Sequence, residues 1–166
     1  MIELLRGLSL LAATLLTGAM TGVFGIYANA IMPGLRTTDD RTFVGAFQAI
    51  DRAIINPLFM LTFFGALVLA AVAAGLNAGE RSVLLWVAAA FALYLAVVVI
   101  TLAVNVPLND ALKAAGDPDR IADLAQVRDR FDEARWVAWN IVRTIVSAVA
   151  FGCLAWALVE YGRATR

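Results

Sequence analysis

Eight polar side chains lie within or beside long apolar segments of this chain, and they are the residues whose chemistry needs an explanation. A charge at membrane depth costs about 2–3 kcal/mol or more, which makes the single arginine of this set a functional-site hypothesis. The sequence contains no histidine, so any catalytic base must be Asp, Glu, Lys, Tyr or a water. The eight residues are Asn29, Gln48, Asp51, Asn56, Asn105, Asn109, Asn140 and Arg143.

The arginine belongs to a spaced set on one predicted helix. Trp136, Asn140 and Arg143 follow i, i+4, i+7 spacing, which predicts that they share a helix face. Trp139 lies four residues before Arg143, and this spacing permits a cation–π contact. The guanidinium could reach toward the interface. It could equally point inward and meet Asn105, Asn109, Asp51 or Asp110.

Two interpretations of the polar set remain open at this point. In the structural one, Arg143 pairs with an acid, the asparagines cap and bridge helices, and Trp136 and Trp139 form an interfacial belt. In the functional one, the amides and the arginine converge on a pocket. Pro107, between Asn105 and Asn109, predicts a broken helix, which is tolerated at membrane depth only where protein or a water-filled cavity covers it.

Cofactor sites are poorly supported by the residue types. Without histidine, the proximal haem ligand, the usual zinc sites and the Glu-x-x-His of di-iron bundles are missing. Cys153 is the only cysteine and is expected to be a small packing residue. The sequence therefore predicts no metal and no cofactor.

Four long apolar segments must position these residues. Hydrophobic residues make up 62% of the 166-residue chain and charged residues 16%, against about 45–50% and 25% in soluble domains. The segments run over Gly7–Leu35, Ala53–Gly79, Ser82–Asn109 and Trp136–Val159. Each is long enough for the roughly 20 residues of a spanning helix. They predict an all-α integral membrane four-helix bundle, a single domain over 1–166, with helices near 4–32, 57–76, 83–104 and 136–160.

The connections carry further helices. Residues Arg36–Asn56 predict an amphipathic helix between helices one and two, capped by Thr38 or Asp39. A polar segment precedes helix four, and Ile121–Arg135 predicts a charged helix that leads directly into it. The order of long and amphipathic helices occurs twice, which hints at a parallel two-fold repeat.

The topology places all eight polar residues at one membrane face, because helices one and three end where helices two and four begin. Loops one and three hold eight Lys and Arg, against four in loop two and the termini, so the positive-inside rule puts this face in the cytoplasm. We expect a multi-pass protein of the bacterial inner membrane. Ala28-Asn29-Ala30 resembles a signal-peptide cleavage site, but the apolar run before it is too long for one.

Partners are constrained by charge and by small residues. The net charge is zero and no basic stripe is present, so no nucleic-acid partner is expected. Membrane lipids are expected partners. Gly18-x-x-x-Gly22 permits close helix approach, either inside the bundle, which we favour, or in a homo-oligomer.

Four stretches resemble the anthrone-oxygenase-like family of small four-helix membrane proteins. They are Gly22–Leu35 (GVFGIYANAIMPGL), Phe43–Phe59 (FVGAFQAIDRAIINPLF), Asn105–Leu112 (NVPLNDAL) and Arg130–Thr144 (RFDEARWVAWNIVRT). The most specific pieces are Asn105-x-Pro107-x-Asn109 and Trp139-Asn140-x-x-Arg143, with Gln48 and Asn56-Pro57 in support. Fungal members of this family oxidise anthrones to anthraquinones with molecular oxygen and without metal or flavin.

The resemblance implies roles for the polar set. Asp51 or Asp110 would be the base that removes a proton from a lipophilic aromatic substrate, and Arg143 with Asn105, Asn109 or Asn140 would hold the oxyanion. Substrate contacts would come from Trp136, Trp139, Phe47, Phe59, Gln48 and Asn56.

Three hypotheses follow. A cofactor-independent oxygenase predicts a pocket lined by Arg143 and the asparagines, with an acid nearby. A non-catalytic lipid or lipophile binder predicts the same pocket, open laterally and without such an acid. An accessory membrane subunit predicts no pocket and a fully ion-paired Arg143.

Overall fold

The computed structural model describes residues 1–165, and within them the chain is a bundle of helices with no strand. Among residues 1–165, four helical stretches are long and apolar enough to cross a membrane, which confirms the predicted all-α membrane bundle. They span Ile2–Arg36, Pro57–Leu76, Arg81–Ala114 and Leu124–Ala164. The protein is therefore a multi-pass integral membrane protein.

Local geometry divides these stretches into shorter elements. The first contains α1 (Ile2–Ile26), the π-helical segment π1 (Tyr27–Ile31) and α2 (Met32–Arg36), and the amphipathic α3 (Asp40–Ile54) follows. The second is α4 (Pro57–Leu76). The third contains α5 (Arg81–Ile100), π2 (Thr101–Asn105) and α6 (Val106–Ala114). A 3₁₀ turn (Pro118–Arg120) then leads to α7 (Leu124–Phe131) and α8 (Glu133–Ala164).

The bundle core is built from small and aliphatic residues. The helix α8 packs against α1 and α5, and α4 packs against the same two helices from the other side. Leu10, Met20, Val87 and Leu154 are among the buried core residues. Large apolar side chains such as Leu61 are exposed on the outside, where lipid is their solvent.

Two prolines follow the π-helical segments instead of ending helices. In these segments the pairing widens to i→i−5: Met32 N–H donates to the Tyr27 carbonyl, and Val106 N–H donates to the Thr101 carbonyl. The prediction that Pro107 breaks the helix was wrong, because the wide turn before it accommodates a residue without an N–H. Helix three therefore continues to Ala114 instead of ending near 104.

Side-chain caps begin two helices as predicted. Asp39 accepts hydrogen bonds from the Thr42 N–H at 3.0 Å and the Thr42 hydroxyl at 2.7 Å, and these bonds lower the pKa of the Asp39 carboxyl. Asn56 accepts from the Phe59 N–H at 3.0 Å, and Pro57 occupies the first turn of α4.

The polar segment before helix four differs from the prediction. Ile121–Arg135 does not form one continuous helix, since α7 ends at Phe131 and Asp132 adopts a left-handed conformation with φ of 51°. The Asp132 carboxylate then caps α8 by accepting from the Arg135 N–H at 3.1 Å. Helix four consequently begins at Glu133, three residues before the predicted start.

A second apolar cluster lies under α3 and α7. Phe43, Phe47, Phe131 and Trp136 pack at ring-centroid distances between 4.7 and 6.3 Å. Arg128 fastens the two helices on the outside, donating to Thr38 and Asp40. The two amphipathic helices thus close one end of the bundle.

The same order of elements occurs in both halves of the chain. Each half runs through a long helix, a π-helical segment, a proline two residues later, a shorter amphipathic helix and a second long helix.

The two glycines of the predicted close-approach motif on α1 have different surroundings. A Cβ on Gly18 would lie 2.9 Å from the Phe151 ring, whereas Gly22 has open space. Gly18 is therefore used inside the bundle, and a homo-oligomer stays a prediction.

Candidate functional site

A cavity of about 280 Å³ lies inside the closed end of the bundle. Its wall is apolar except for a small number of charged and amide side chains. The polar or charged lining residues are Tyr27, Asp51, Thr101, Asn105, Asn109, Asp110, Lys113, Trp136, Asn140 and Arg143. The apolar wall comes mainly from α1, α3 and α4, and includes Phe24, Phe47, Phe59, Met60 and Phe63.

Arg143 is an almost fully buried charged residue of the cavity wall. Its side chain is only 5% exposed. Nη1 donates to the Thr101 hydroxyl at 3.2 Å, and Nη2 donates to Asn140 Oδ1 at 2.9 Å. Among the described residues no carboxylate lies within 4 Å of it, and Nε has no hydrogen-bond partner. This guanidinium is therefore an uncompensated cation.

Two aromatic rings, instead of a carboxylate, contact the Arg143 guanidinium. The guanidinium carbon lies 4.7 Å from the centroid of Phe24 and 5.6 Å from that of Trp136. Such contacts are worth about 2 kcal/mol or more when they are desolvated. The predicted partner, Trp139, is 37% exposed and does not line the cavity. The Trp139–Arg143 contact that the spacing permitted is not formed, because Trp139 lies on a different face of α8.

The spacing on α8 explains how the arginine is aimed. Trp136, Asn140 and Arg143 are 3%, 1% and 5% exposed, which confirms that they share the buried face. Asn140 also donates from Nδ2 to the carbonyl of Phe24, in the last turn of α1, at 3.0 Å. Both polar atoms of this amide are used inside the protein, so Asn140 positions the guanidinium.

A second chain of polar contacts runs from the cavity to the membrane face. The Trp136 indole N–H donates to Asn109 Oδ1 at 2.7 Å, and Asn109 Nδ2 donates to Asp51 Oδ1 at 2.7 Å. Lys113 Nζ lies 3.1 Å from Asp51 Oδ2 and 2.8 Å from Asp110 Oδ1. Asp51 is thus held by a hydrogen bond at Oδ1 and by an ion pair at Oδ2, and Oδ2 has no hydrogen-bond partner among the described residues.

The Asn105 side chain has an amide oxygen that accepts no hydrogen bond from residues 1–165. Its Nδ2 donates to the Trp136 carbonyl at 3.2 Å, and its Oδ1 is buried without a partner. A buried acceptor without a donor is costly. One N–H of Nδ2 is used by the Trp136 carbonyl, and the oxyanion role that the resemblance implied for Asn105 stays a prediction.

Most of the predicted site residues come together. Arg143, Asn140, Asn105, Asn109, Asp51, Trp136, Phe47 and Phe59 line the cavity. Three other predicted residues do not line it. Trp139 is exposed, and Asn56 caps α4. Gln48 donates to the carbonyls of Leu112 and Gly116 at 2.9 and 3.0 Å. Gln48 therefore satisfies the end of α6, and the exposed Asn29 also lies outside the cavity.

The predicted site lacked several lining residues, among them Phe24, Tyr27, Thr101 and Lys113. Tyr27 and Thr101 are the first residues of π1 and π2, so the two wide turns aim both hydroxyl-bearing side chains inward. No signal in the sequence marks these turns. For Lys113 the sequence did contain a signal, because this residue lies three positions after Asp110 and four after Asn109 on α6 and therefore shares their helix face.

Within residues 1–165, no group of three or more His, Cys, Asp or Glu side chains is arranged to hold a metal ion.

Comparison with known proteins gives one result. The comparisons with curated proteins and with solved structures found no match. The family model described as anthrone oxygenase matches residues 52–153, which includes α4 to the middle of α8 and the cavity residues Asn105, Asn109, Trp136, Asn140 and Arg143. The match covers more than half of the chain, and the chain belongs to the anthrone oxygenase family.

Proposed function

We propose that this protein is a cofactor-independent oxygenase that acts on a flat, lipophilic aromatic carbon acid of the anthrone type. Such a substrate loses a proton from a CH₂ group flanked by aromatic rings and gives an electron-rich enolate. The protein then has to bind the rings, remove the proton and stabilise the oxyanion.

The uncompensated charge on Arg143 carries this proposal. A buried cation without a counter-ion is costly in a membrane, and its presence favours a ligand that is anionic or becomes so. The Arg143 guanidinium has five N–H donors, and only two of them are used, one on Nη1 by Thr101 and one on Nη2 by Asn140. A donor fixed before the reaction stabilises a developing enolate oxygen without reorganisation.

Asp51 is the proposed base. It lines the cavity, is 5% exposed, and has one carboxylate oxygen held by Asn109. Asp110 also lines the cavity, but its side chain is 59% exposed and turned toward Lys113 at the membrane face. We assign the proton transfer to Asp51 because it is the shielded carboxylate.

The reaction balances without a further reductant. Asp51 takes one proton from the CH₂ group, the enolate carbon forms a bond to O₂, and the peroxide oxygen takes up that proton. Asp51 then removes the second C–H proton while the O–O bond breaks, and the departing hydroxide takes this proton as water. The CH₂ group becomes C=O, one oxygen atom enters the quinone, and the other leaves in water.

The apolar wall suits such a substrate and its arrival from lipid. Phe47, Phe59 and Phe63 surround the polar end of the cavity. Phe64 and Leu102 also line it and are 42% and 52% exposed toward the lipid side. A lipophile dissolved in the bilayer would therefore reach the cavity between α4 and π2 without crossing water.

Oxygen uptake in the presence of anthrone tests this function. Protein purified in mild detergent is mixed with anthrone under ¹⁸O₂, and the expected product is anthraquinone with one labelled oxygen atom, the second label appearing in water. Arg143→Gln should lower kcat by about 10²- to 10³-fold, the usual cost of removing an oxyanion donor. Arg163→Gln, on the same helix but exposed at its opposite end, should leave the rate unchanged.

A rate that is unaffected by Arg143→Gln in a folded protein would contradict the assignment. Absence of labelled anthraquinone with wild-type protein would argue for the second candidate, a non-catalytic lipophile binder. The exposure of the lining residues Phe64 and Leu102 suits that alternative equally, because a pocket open to lipid is what a lipophile binder needs. Mass spectrometry of co-purified lipophiles, lost in Arg143→Gln, would identify the ligand in that case.

A further inference from the structure

Lys113 is the second cation of the cavity, and the proposed reaction does not use it. It lies near the end of α6, with its side chain 33% exposed at the membrane face. Its ammonium bridges the buried Asp51 and the exposed Asp110 at 3.1 and 2.8 Å. It therefore connects the shielded carboxylate to the aqueous side.

The charges around Asp51 show what this bridge does. The charged and titratable groups that line the cavity with Asp51 are Lys113 and Asp110 from α6, Tyr27 from π1 and Arg143 from α8. Arg143 is more than 4 Å from any carboxylate among the described residues. The cavity thus holds two cations, of which one neutralises the acid and the other is free for a ligand.

We propose that Lys113 is a positioning residue that neutralises Asp51 through their ion pair and keeps this carboxylate from pairing with Arg143. This inference rests on the proposed function for its catalytic meaning, but the electrostatic part stands on the contacts alone. A buried carboxylate without its cation either takes up a proton or turns to the next cation. The first outcome removes the base, and the second occupies the oxyanion donor.

Infrared spectroscopy tests the electrostatic part without any substrate. In Lys113→Gln at neutral pH we expect either a protonated carboxyl band that wild type lacks or a carboxylate band shifted by contact with Arg143. Either signal should vanish in the double variant Lys113→Gln/Asp51→Asn. Lys113→Arg, which keeps the charge, should match wild type. Asp110→Asn removes only the exposed partner and should also match wild type.

Kinetics then tests the catalytic part. Lys113→Gln should lower kcat with anthrone by about tenfold or more while KM changes little, because the loss falls on proton transfer. Lys113→Arg should restore most of the rate at neutral pH.

The two proposals fail in different ways. Identical carboxyl bands in wild type and Lys113→Gln, with both proteins folded, would overturn the role of Lys113 whatever the oxygen uptake shows. An equal loss of rate in Lys113→Gln and Lys113→Arg would overturn it as well, since charge would then be irrelevant. Absence of oxygen uptake by wild type, with the infrared difference present, would contradict the oxygenase and leave Lys113 as the residue that holds Asp51.

Discussion

Amide side chains around the cavity act mainly on other protein groups. Asn140 uses both of its polar atoms on Arg143 and the Phe24 carbonyl, and Asn109 uses both on Trp136 and Asp51. Their residue types correctly marked the site, but their partners could not be derived from spacing. The direction of an amide depends on which backbone and side-chain groups the other helices bring to it.

Trp136 is predicted to be the aromatic residue on which the site depends. Trp136→Phe removes the indole N–H that holds Asn109 and weakens the contact with Arg143, so Asn109 no longer orients Asp51 as firmly. We expect a loss of about 1–3 kcal/mol in stability, the usual range for a buried acceptor left without its donor. The measurement is thermal unfolding in detergent followed by near-ultraviolet circular dichroism.

Trp139→Phe is the matched control for this prediction. Trp139 lies on the same helix but is 37% exposed and outside the cavity. Its substitution should change stability by less than about 0.5 kcal/mol, as surface substitutions usually do. Equal effects of the two substitutions would show that the hydrogen bond from Trp136 to Asn109 contributes nothing measurable.

At the scale of elements, the apolar segments and the caps were predictable and the helix interruptions were not. Hydropathy located the four spanning helices, and Asp39 and Asn56 were correctly assigned as helix starts. The π-helical segments escaped prediction because one extra residue in a turn leaves no compositional trace. They matter because they aim Tyr27 and Thr101 into the cavity.

Asp132, the left-handed residue between α7 and α8, is predicted to fix the start of α8. Asp132 combines a positive φ with a side-chain cap on α8. Asp132→Ala loses the cap and places a Cβ-bearing residue without local hydrogen bonds in the left-handed region, so we expect a loss of about 1–2 kcal/mol. Asp132→Asn keeps both properties and should stay within a few tenths of a kcal/mol of wild type.

Thermal unfolding of both variants measures this difference. Hydrogen exchange at the start of α8 provides a local readout, since faster exchange near Arg135 is expected only in Asp132→Ala. If both variants unfold at the same temperature, the cap does not control the boundary between these helices.

At the scale of the whole molecule, the two ends of the bundle are built differently. At the cavity end, α3 and α7 cover the helices and enclose charged groups. At the opposite end, Arg6 donates to the Leu76 carbonyl at 2.8 Å and Tyr161 donates to the Glu3 carbonyl at 2.6 Å, which joins the helices directly. We call the end that encloses the cavity the chamber, and the end where the helices are joined directly the clamp. The difference agrees with the one-sided distribution of polar residues in the sequence.

The orientation of this chamber is the last prediction. Eight Lys and Arg lie in the loops at the chamber end and four at the clamp end and in the termini, so we expect the chamber to face the cytoplasm of a bacterial host. In a Cys153→Ala background, the exposed Ala78 and Ala122 are replaced singly by cysteine. Ala78→Cys, between α4 and α5, should react with a membrane-impermeant maleimide in intact spheroplasts. Ala122→Cys, before α7, should react only after the membrane is permeabilised. The reverse pattern would place Asp110 and Lys113 on the outside, so that the face through which Asp51 meets water would be periplasmic.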